Sequence, residues 1–372
     1  MKLLHLSNDF ANSHVYGHLV SKLKQLDIEQ VVFSAVKTER EIHKIKDIQD
    51  VDIHVRHILG TKDRVFYTSK IKKITSCIDK AIDPVKIDVV HAHTLYSDGG
   101  VALKLKKKYK IPYIITVRNT DINIFMKYRP DLNQVRDNIL LESCGITTPS
   151  PAYPNRMKSL LPGNVWEEIK HKITVIPNGV DSFWLLNKDY LLSKRSAVKL
   201  LYVGKFEKRK NVLKLIKAVE LLNEKREYTL TLVGGGGGQH NKIIKLSQSS
   251  KYPFLNYIHQ IDRLHDLKNI YRNHDIFVMP SCRETFGLVY IEALSQGLPI
   301  LHSKGEGIDG YFDNKTVSEA VDCSNIKDII EKIELLSDRM DTVRKECIDV
   351  VDEFDWEIIA KKYQKIYNSV LF

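Results

Sequence analysis

"VKLLYVGKFEKRKNVLKLIKAVELLNEKREYTLTLVG" spans residues 198–234. It opens with an apolar run that breaks at Gly204, as a short buried strand does. From Asn211 to Glu224 the apolar residues Val212, Leu215, Ile216, Val219 and Leu222 recur at intervals of three and four, which places them on one helix face. A second apolar run, "YTLTLVG", follows at once. A strand, one helix and a strand with no hairpin turn between them predict a parallel crossover, with the helix packed on the sheet.

The same alternation extends in both directions. Downstream come "NKIIKLSQS", "FLNYIHQ", "LHDLKNIYRN", "DIFVMPS", a helix over roughly Phe286–Gly297 and "LPILHS". Upstream, "KLLHLS", "QVVFSAV", "IDVVHAH", "IPYIITV", "GITTPS" and "KITVIPNGV" read as strands, separated by helical patterns. Residues 37–63 carry no clear period. The expectation is an α/β chain of two Rossmann-like, doubly wound parallel-sheet domains. Pro177-Asn178-Gly179 is a turn signal, and an irregular segment follows it. The boundaries expected are 1–185, 186–353 and a closing amphipathic helix over 354–372.

A chain of 372 residues suits two domains, each able to bury a core. The formal net charge of +11 favours an anionic partner. That charge is spread without a nucleic-acid reading motif, so no nucleic-acid partner is expected. Five cysteines without metal-ligand spacing predict reduced thiols and a cytoplasmic protein. The start "MKLLHLSNDF" turns polar too early for a signal peptide. No apolar run reaches the length of a spanning helix.

Two features carry chemistry. "PSCRETFGLVYIEALSQGLPI", residues 280–300, follows a strand and holds Glu284 and Glu292 on either side of a helix start. There the amides of Phe286, Gly287 and Leu288 lack intrahelical partners, and Gly287 admits a close ligand, which makes an anion site. Lys205 and Lys210 flank the start of the helix that follows the first strand of this domain and can neutralise the same anion from the other side. A solvated loop is the ordinary fate of Lys208 and Arg209. The turn "LVGGGGGQH" fits neither a dinucleotide fingerprint nor a phosphate-binding P-loop. Its Gly234 and Gly236, with Gly204, permit close backbone approach to a nucleotide; a plain flexible turn is the alternative.

These segments together resemble the GT-B retaining glycosyltransferases, most closely family 4. "PSCRETFGLVYIEALSQGLPI" is similar to the family's E-x7-E segment. "YVGKFEKRKN" is similar to its G-[RK]-x4-K-G segment, with Asn211 in place of the last glycine. "VIPNGVDSFW", "LVGGGGGQ" and "FDWEIIAKKYQKIY" resemble its interdomain, glycine-turn and terminal-helix segments. The resemblance implies two domains facing a central cleft and a C-terminal helix that crosses back to the first. It implies that Glu284 holds donor-sugar hydroxyls, that Phe286, Gly287 and Leu288 offer amides, and that Glu292 binds a ribose. It also implies that Lys205 and Lys210 stabilise a leaving diphosphate, so no metal cofactor is expected. The single DxD, Asp50-Val51-Asp52, lies in the unpatterned region and carries no assignment.

In the N-terminal half, "VVHAHTLYSDGG" resembles the family's H-x-H strand end and places His93 at the cleft, with His91 structural. Many relatives carry a histidine after the next strand, where "ITVRNTDIN" has Arg118 followed by Asn119 and Asp121. Arg118 cannot serve as a base at neutral pH but can pair with a phosphate or an acidic acceptor, so no general base is named. Asn119, Asp121 and Asn178 are read as acceptor or cleft contacts. The expected partners are a nucleotide sugar and a saccharide or lipid-linked acceptor. The basic segments 69–80 and 104–110 add an anionic membrane surface, touched peripherally. Two other readings fit the same fold, a nucleotide-sugar epimerase and a non-catalytic nucleotide-sugar-binding protein.

Overall fold

The computed structural model describes residues 1–45, 47–191, 196–313 and 315–371. The chain divides into two compact units. The first comprises Met1–Pro149, Tyr153–Asn178 and Trp356–Phe372; the second comprises Ser150–Ala152 and Gly179–Asp355.

The first unit is built on a seven-stranded sheet. Its strands are β1 (Lys2–Leu6), β2 (Glu29–Val36), β3 (Asp52–His57), β4 (Val89–Ala92), β5 (Tyr113–Thr116), β6 (Gly145–Thr148) and β7 (Ile173–Val175). The spatial order is β3-β2-β1-β4-β5-β6-β7, and every pairing is parallel. The chain winds outward from β1 in one direction, returns, and winds from β4 in the other. The switch point of a doubly wound sheet, where ligands usually bind, therefore falls beyond the carboxyl ends of β1 and β4. β2, β4, β5 and β6 are buried nearly throughout, as strands covered on both faces must be.

The second unit repeats this winding with six parallel strands. They are β8 (Val198–Val203), β9 (Tyr228–Val233), β10 (Leu255–Ile258), β11 (Ile276–Val278), β12 (Ile300–Ser303) and β13 (Ser318–Val321), in the order β10-β9-β8-β11-β12-β13. Its switch point lies beyond β8 and β11. The crossover expected between residues 198 and 234 is present: the helix Val212–Leu222 buries Val212, Leu215, Ile216, Val219 and Leu222.

Each unit has its own core. In the second, Leu200, Leu232, Phe277, Ile291 and Leu301 are fully buried with Ile329 and Ile333 of the long helix Ile326–Asp349. In the first, the terminal helix Trp356–Leu371 packs Trp356, Ile359 and Tyr367 against Leu3, Leu19, Val89 and Ile114. The chain thus ends in the unit where it began.

Three expectations change. The second unit begins at Gly179 rather than 186, because Val180 and Trp184 belong to its core and Asp181 caps the helix Ser182–Leu186 through the Phe183 amide at 2.8 Å. Residues 37–63 contain a short helix, Glu39–Ile42, and the edge strand β3, whose half-exposed side chains blur the apolar alternation. The cysteines are not all reduced: Cys282 and Cys323 form a disulfide with Cα atoms 5.6 Å apart. That pair sits on two loops brought together by the sheet, so spacing in sequence carries no trace of it. Cys77, Cys144 and Cys347 are free thiols. Among the described residues, no helix is long and apolar enough to cross a membrane.

Candidate functional site

In the second unit, two loops leave the sheet side by side at its switch point. One follows β8 and leads through Lys205 and Lys210 into the helix Val212–Leu222. The other follows β11 and leads through Glu284 into the helix Leu288–Ser295. They are stitched together: the Cys282 amide donates to the Arg209 carbonyl at 2.8 Å, and Arg209 Nη1 donates to the Arg283 carbonyl at 3.1 Å. Between them Lys210 Nζ and a Glu284 carboxylate oxygen form an ion pair in which each side chain is only about a tenth exposed (12% and 11%).

Glu284 is held in place from three sides. Its amide donates to Glu306 Oε2 at 2.9 Å, its carbonyl accepts from the Gly307 amide at 3.2 Å, and its Oε1 accepts from the Thr285 amide at 3.0 Å. Gly287 then turns the chain into the helix with φ of 86°. A Cβ there would sit 2.6 Å from the Tyr290 ring, so only glycine fits. Tyr290 Oη donates to the Met279 carbonyl at 2.7 Å and fixes the helix start to the strand end. Among the described residues, the amides of Phe286, Gly287 and Leu288 have no acceptor. They remain free donors at the positive end of a helix.

Glu292 lies one turn further along the same helix. Its Oε2 accepts from Tyr271 Oη at 3.1 Å. Burial pushes its carboxyl up to about 7, against the opposing effect of the Tyr271 bond and with a smaller push from Asp181. It is a carboxyl group poised between its two charge states at neutral pH. Lys205 is exposed, and its carbonyl accepts from Tyr202 Oη at 2.9 Å.

The glycines divide by role. A Cβ on Gly234 would lie 2.2 Å from the Gly204 carbonyl oxygen, so this pair allows two backbone turns to touch each other. Gly236, with φ of 67°, has open space around its Cα. Asn211 adopts φ of 62°, the left-handed conformation that asparagine tolerates best after glycine, and its Nδ2 donates to the Cys323 carbonyl at 2.8 Å. That bond explains why asparagine serves at this turn.

Sequence reasoning missed Arg209, Glu306 and Tyr271. Arg209 was read as a solvated loop residue, yet its guanidinium ties the two loops together. Glu306 sits between Gly305 and Gly307, both at positive φ, and that glycine-flanked turn after a strand was the signal available.

In the first unit the motif residues gather at the other switch point. His93 and Arg118 follow β4 and β5, and Tyr16 lies on the helix after β1. His93 is buried, with Nε2 2.9 Å from His5 Nδ1, and His5 Nε2 lies 3.0 Å from Gln30 Oε1. His91 is bonded on both nitrogens, to Tyr367 Oη and Thr116 Oγ1 at 2.8 Å each. Burial lowers His5 to about 4 and holds His91 and His93 well below the usual imidazole range. The ligand nitrogens of the three come within 4.8 Å of one another, but a cation there would displace hydrogen bonds already made.

Two placements are corrected. Asp121 is 2% exposed, and its carboxylate accepts from the amides of Arg118 (2.9 Å), Leu95 (3.1 Å) and Tyr96 (3.4 Å). It clamps two loops rather than reaching toward an acceptor. His93 likewise supports the strand end from beneath, offering its carbonyl to Arg118 Nε at 3.0 Å. Asn119 is half-buried, with Oδ1 accepting from Asn123 Nδ2 at 3.1 Å. Asn178 is the last residue before the chain passes into the second unit.

Two family models match consecutive parts of the chain: "Glycosyltransferase Family 4" over residues 13–182 and "Glycosyl transferases group 1" over residues 187–349. A protein of Methanocaldococcus jannaschii named as an uncharacterized glycosyltransferase is 26% identical, covering 95% of this chain and 93% of its own. Among solved structures, sucrose-phosphate synthase from Thermosynechococcus elongatus superposes with a TM-score of 0.77 at 17% identity, over 99% of this chain and 98% of its own. Anabaena HepE, solved with UDP and glucose, superposes with a TM-score of 0.67 at 15% identity, over 99% and 100%.

Proposed function

This chain belongs to the family 4-like glycosyltransferases of GT-B fold, and we propose that it moves a hexose or N-acetylhexosamine from a UDP- or GDP-sugar to a saccharide or lipid-linked saccharide, with retention. The observation that carries this reading is the second unit's switch point. There Glu284 is held beside open helix-start amides and paired with Lys210. A diphosphate placed on the amides of Phe286, Gly287 and Leu288 would draw Lys210 and Lys205 toward its charge and free Glu284 for sugar hydroxyls. Glu292, in its ionised form, would accept from both ribose hydroxyls. A relative solved with UDP and glucose supports a nucleotide of this kind.

In the proposed step the bond from the anomeric carbon to the diphosphate oxygen breaks through an oxocarbenium-like state. The acceptor oxygen bonds on the same face, and its proton passes to the departing phosphate oxygen. Negative charge grows on the diphosphate, where the helix-start amides would meet it and Lys210 and Lys205 would be drawn in. This reading needs no metal and no side-chain base.

An anionic bilayer is the further partner we propose. Val65 and Phe66, ahead of the helix Tyr67–Ala81, are 66% and 61% exposed, and Tyr128 is 64% exposed. Arg129 Nη2 bonds the Val65 carbonyl at 3.5 Å, bringing these side chains into one neighbourhood, with Lys62, Lys72 and Lys127 exposed nearby. Such a patch suits shallow insertion with basic anchoring. Flotation at low salt should recover more protein with phosphatidylglycerol vesicles than with phosphatidylcholine ones; equal recovery would end this part of the proposal.

The test of the reaction is a melting-temperature panel of UDP-, GDP- and ADP-sugars, followed by product analysis with the best donor. A ligand bound only by the folded state raises the melting temperature. Transfer or slow hydrolysis with retained anomeric configuration is expected. An epimerised free donor would show an isomerase instead, and binding without any turnover would show a binding protein.

A further inference from the structure

Among the described residues, Arg118 stands at the first unit's switch point with no carboxylate in direct contact, although the buried Asp121 acts on it at longer range. Arg118 is half-buried and fixed at two points: Nε donates to the His93 carbonyl at 3.0 Å, and the guanidinium lies 4.8 Å from the centre of the Tyr16 ring. The first contact comes from the loop after β4 and the second from the helix after β1. The guanidinium is thereby held at the crevice beyond the strands where the winding reverses. Its nearest acid on the same loop, Asp121, spends its carboxylate on three backbone amides. Among the described residues, no carboxylate lies within ion-pair distance of Arg118, and its terminal nitrogens donate to nothing.

Asn119 adds a second free donor, by a chain of amide orientations. Arg156 Nη2 donates to Asn123 Oδ1, which turns Asn123 Nδ2 toward Asn119. Asn119 Oδ1 accepts that bond, so its own Nδ2 is left without a partner among the described residues. Two adjacent side chains therefore present N–H groups and no acceptor. A half-buried, pre-oriented guanidinium fork with a neighbouring amide matches a planar or tetrahedral oxyanion.

We infer that Arg118 and Asn119 form the binding point for an anionic group, a phosphate or a carboxylate, carried by the saccharide acceptor. This rests on the glycosyltransferase reading above, because it places an acceptor at the first unit. It goes further in naming the acceptor's chemistry and the groups that select it. A neutral acceptor would leave the terminal N–H groups of the guanidinium without a charged acceptor, so the site discriminates against it.

The test uses the full chain and four probes: UDP, glucose, glucose 6-phosphate and glucuronate, with ligand-observed NMR titrations in the presence of UDP. At least one charged hexose should bind roughly 10-fold or more tightly than glucose, as expected for a charge-assisted hydrogen bond. The two charged probes tell phosphate from carboxylate. Arg118→Gln should erase the preference. Arg118→Lys, which keeps the charge but loses the fork and the His93 bond, should retain part of it, so the proposal stands or falls even where one variant folds poorly. Charged hexoses binding no better than glucose, or a preference that survives Arg118→Gln, would overturn the inference. So would a loss of UDP affinity in Arg118→Gln that exceeds the loss for the charged hexose, since that would assign the arginine to the donor. Failure of the wild-type chain to bind UDP and GDP alike would instead count against the glycosyltransferase mechanism itself.

Discussion

At the second unit's switch point, Glu284 meets Lys210 across two loops and three amides stay open at a helix start. At the first unit's, His91, Asp98 and Asp121 are each 2% exposed or less and tied to backbone or to hydroxyls, and the buried His93 meets His5 through Nε2. Both crevices come from the same winding, and both are rich in ionisable residues. In one, three amides among the described residues stay open beside paired carboxylates; in the other most of the polar groups hold the loops, and the proposed ligand-facing role falls to Arg118 and Asn119. A titratable side chain at a strand end is thus ambiguous until its hydrogen bonds are counted.

The sharpest way to break this contrast is to exchange the expected penalties. Glu284→Gln should lower turnover by about 10³-fold while leaving nucleotide affinity within a fewfold, as for loss of a group that acts on the reacting sugar. Donor hydrolysis and UDP calorimetry measure the two separately, and a mutant that turns over normally would remove Glu284 from the chemistry. Asp121→Ala should instead act on folding. It strands three amides and should cost about 3 kcal/mol, read as a shift in the denaturant midpoint. A full-strength fold with lost activity would make Asp121 a ligand contact after all.

Glu292 sharpens the comparison, because the two roles should oppose each other there. Its folded-state pKa is raised to about 7 from 4.5, so its ionisation works against folding. That cost is absent below about pH 4.5, grows as pH rises toward 7, and is complete above it. Glu292→Gln should therefore stabilise the free protein at pH 8 by up to about 3 kcal/mol and leave it unchanged at pH 4. The same substitution should weaken UDP by roughly 10-fold. In the wild type, UDP affinity should decline as pH falls below about 7, because protonation removes the acceptor the ribose needs. A flat affinity profile between pH 6 and 8 would mean that Glu292 does not bind in its ionised form.

Much of the fold was legible because it rests on local patterns. The crossover from Val198 to Gly234 follows from two apolar runs and one helical face. β3 and β13 were harder, since half-exposed edge strands such as "SEAV" lack the continuous apolar run of a central strand. In the second unit the chemistry lay within short segments, so Glu284, Gly287 and Glu292 could be placed beside a helix start from spacing alone. In the first unit the decisive facts are long-range. His91 is bonded to Tyr367, 276 positions away, and Asp121 to Leu95 and Tyr96 on the loop after the neighbouring strand. No local pattern distinguishes a histidine with both nitrogens bonded from one facing a ligand.

The Cys282–Cys323 bridge bears on the unfolded chain as much as on the folded one. It joins residues 41 positions apart, one on the Glu284 loop and the other accepting from Asn211 and Lys214. A closed loop of that length removes disorder from the denatured ensemble worth about 4 kcal/mol. The free thiols of the first unit, Cys77 and Cys144, give it no corresponding gain. The durability of the second unit's scaffold is therefore tied to the oxidation state of one sulfur pair, and a reducing environment would remove that contribution.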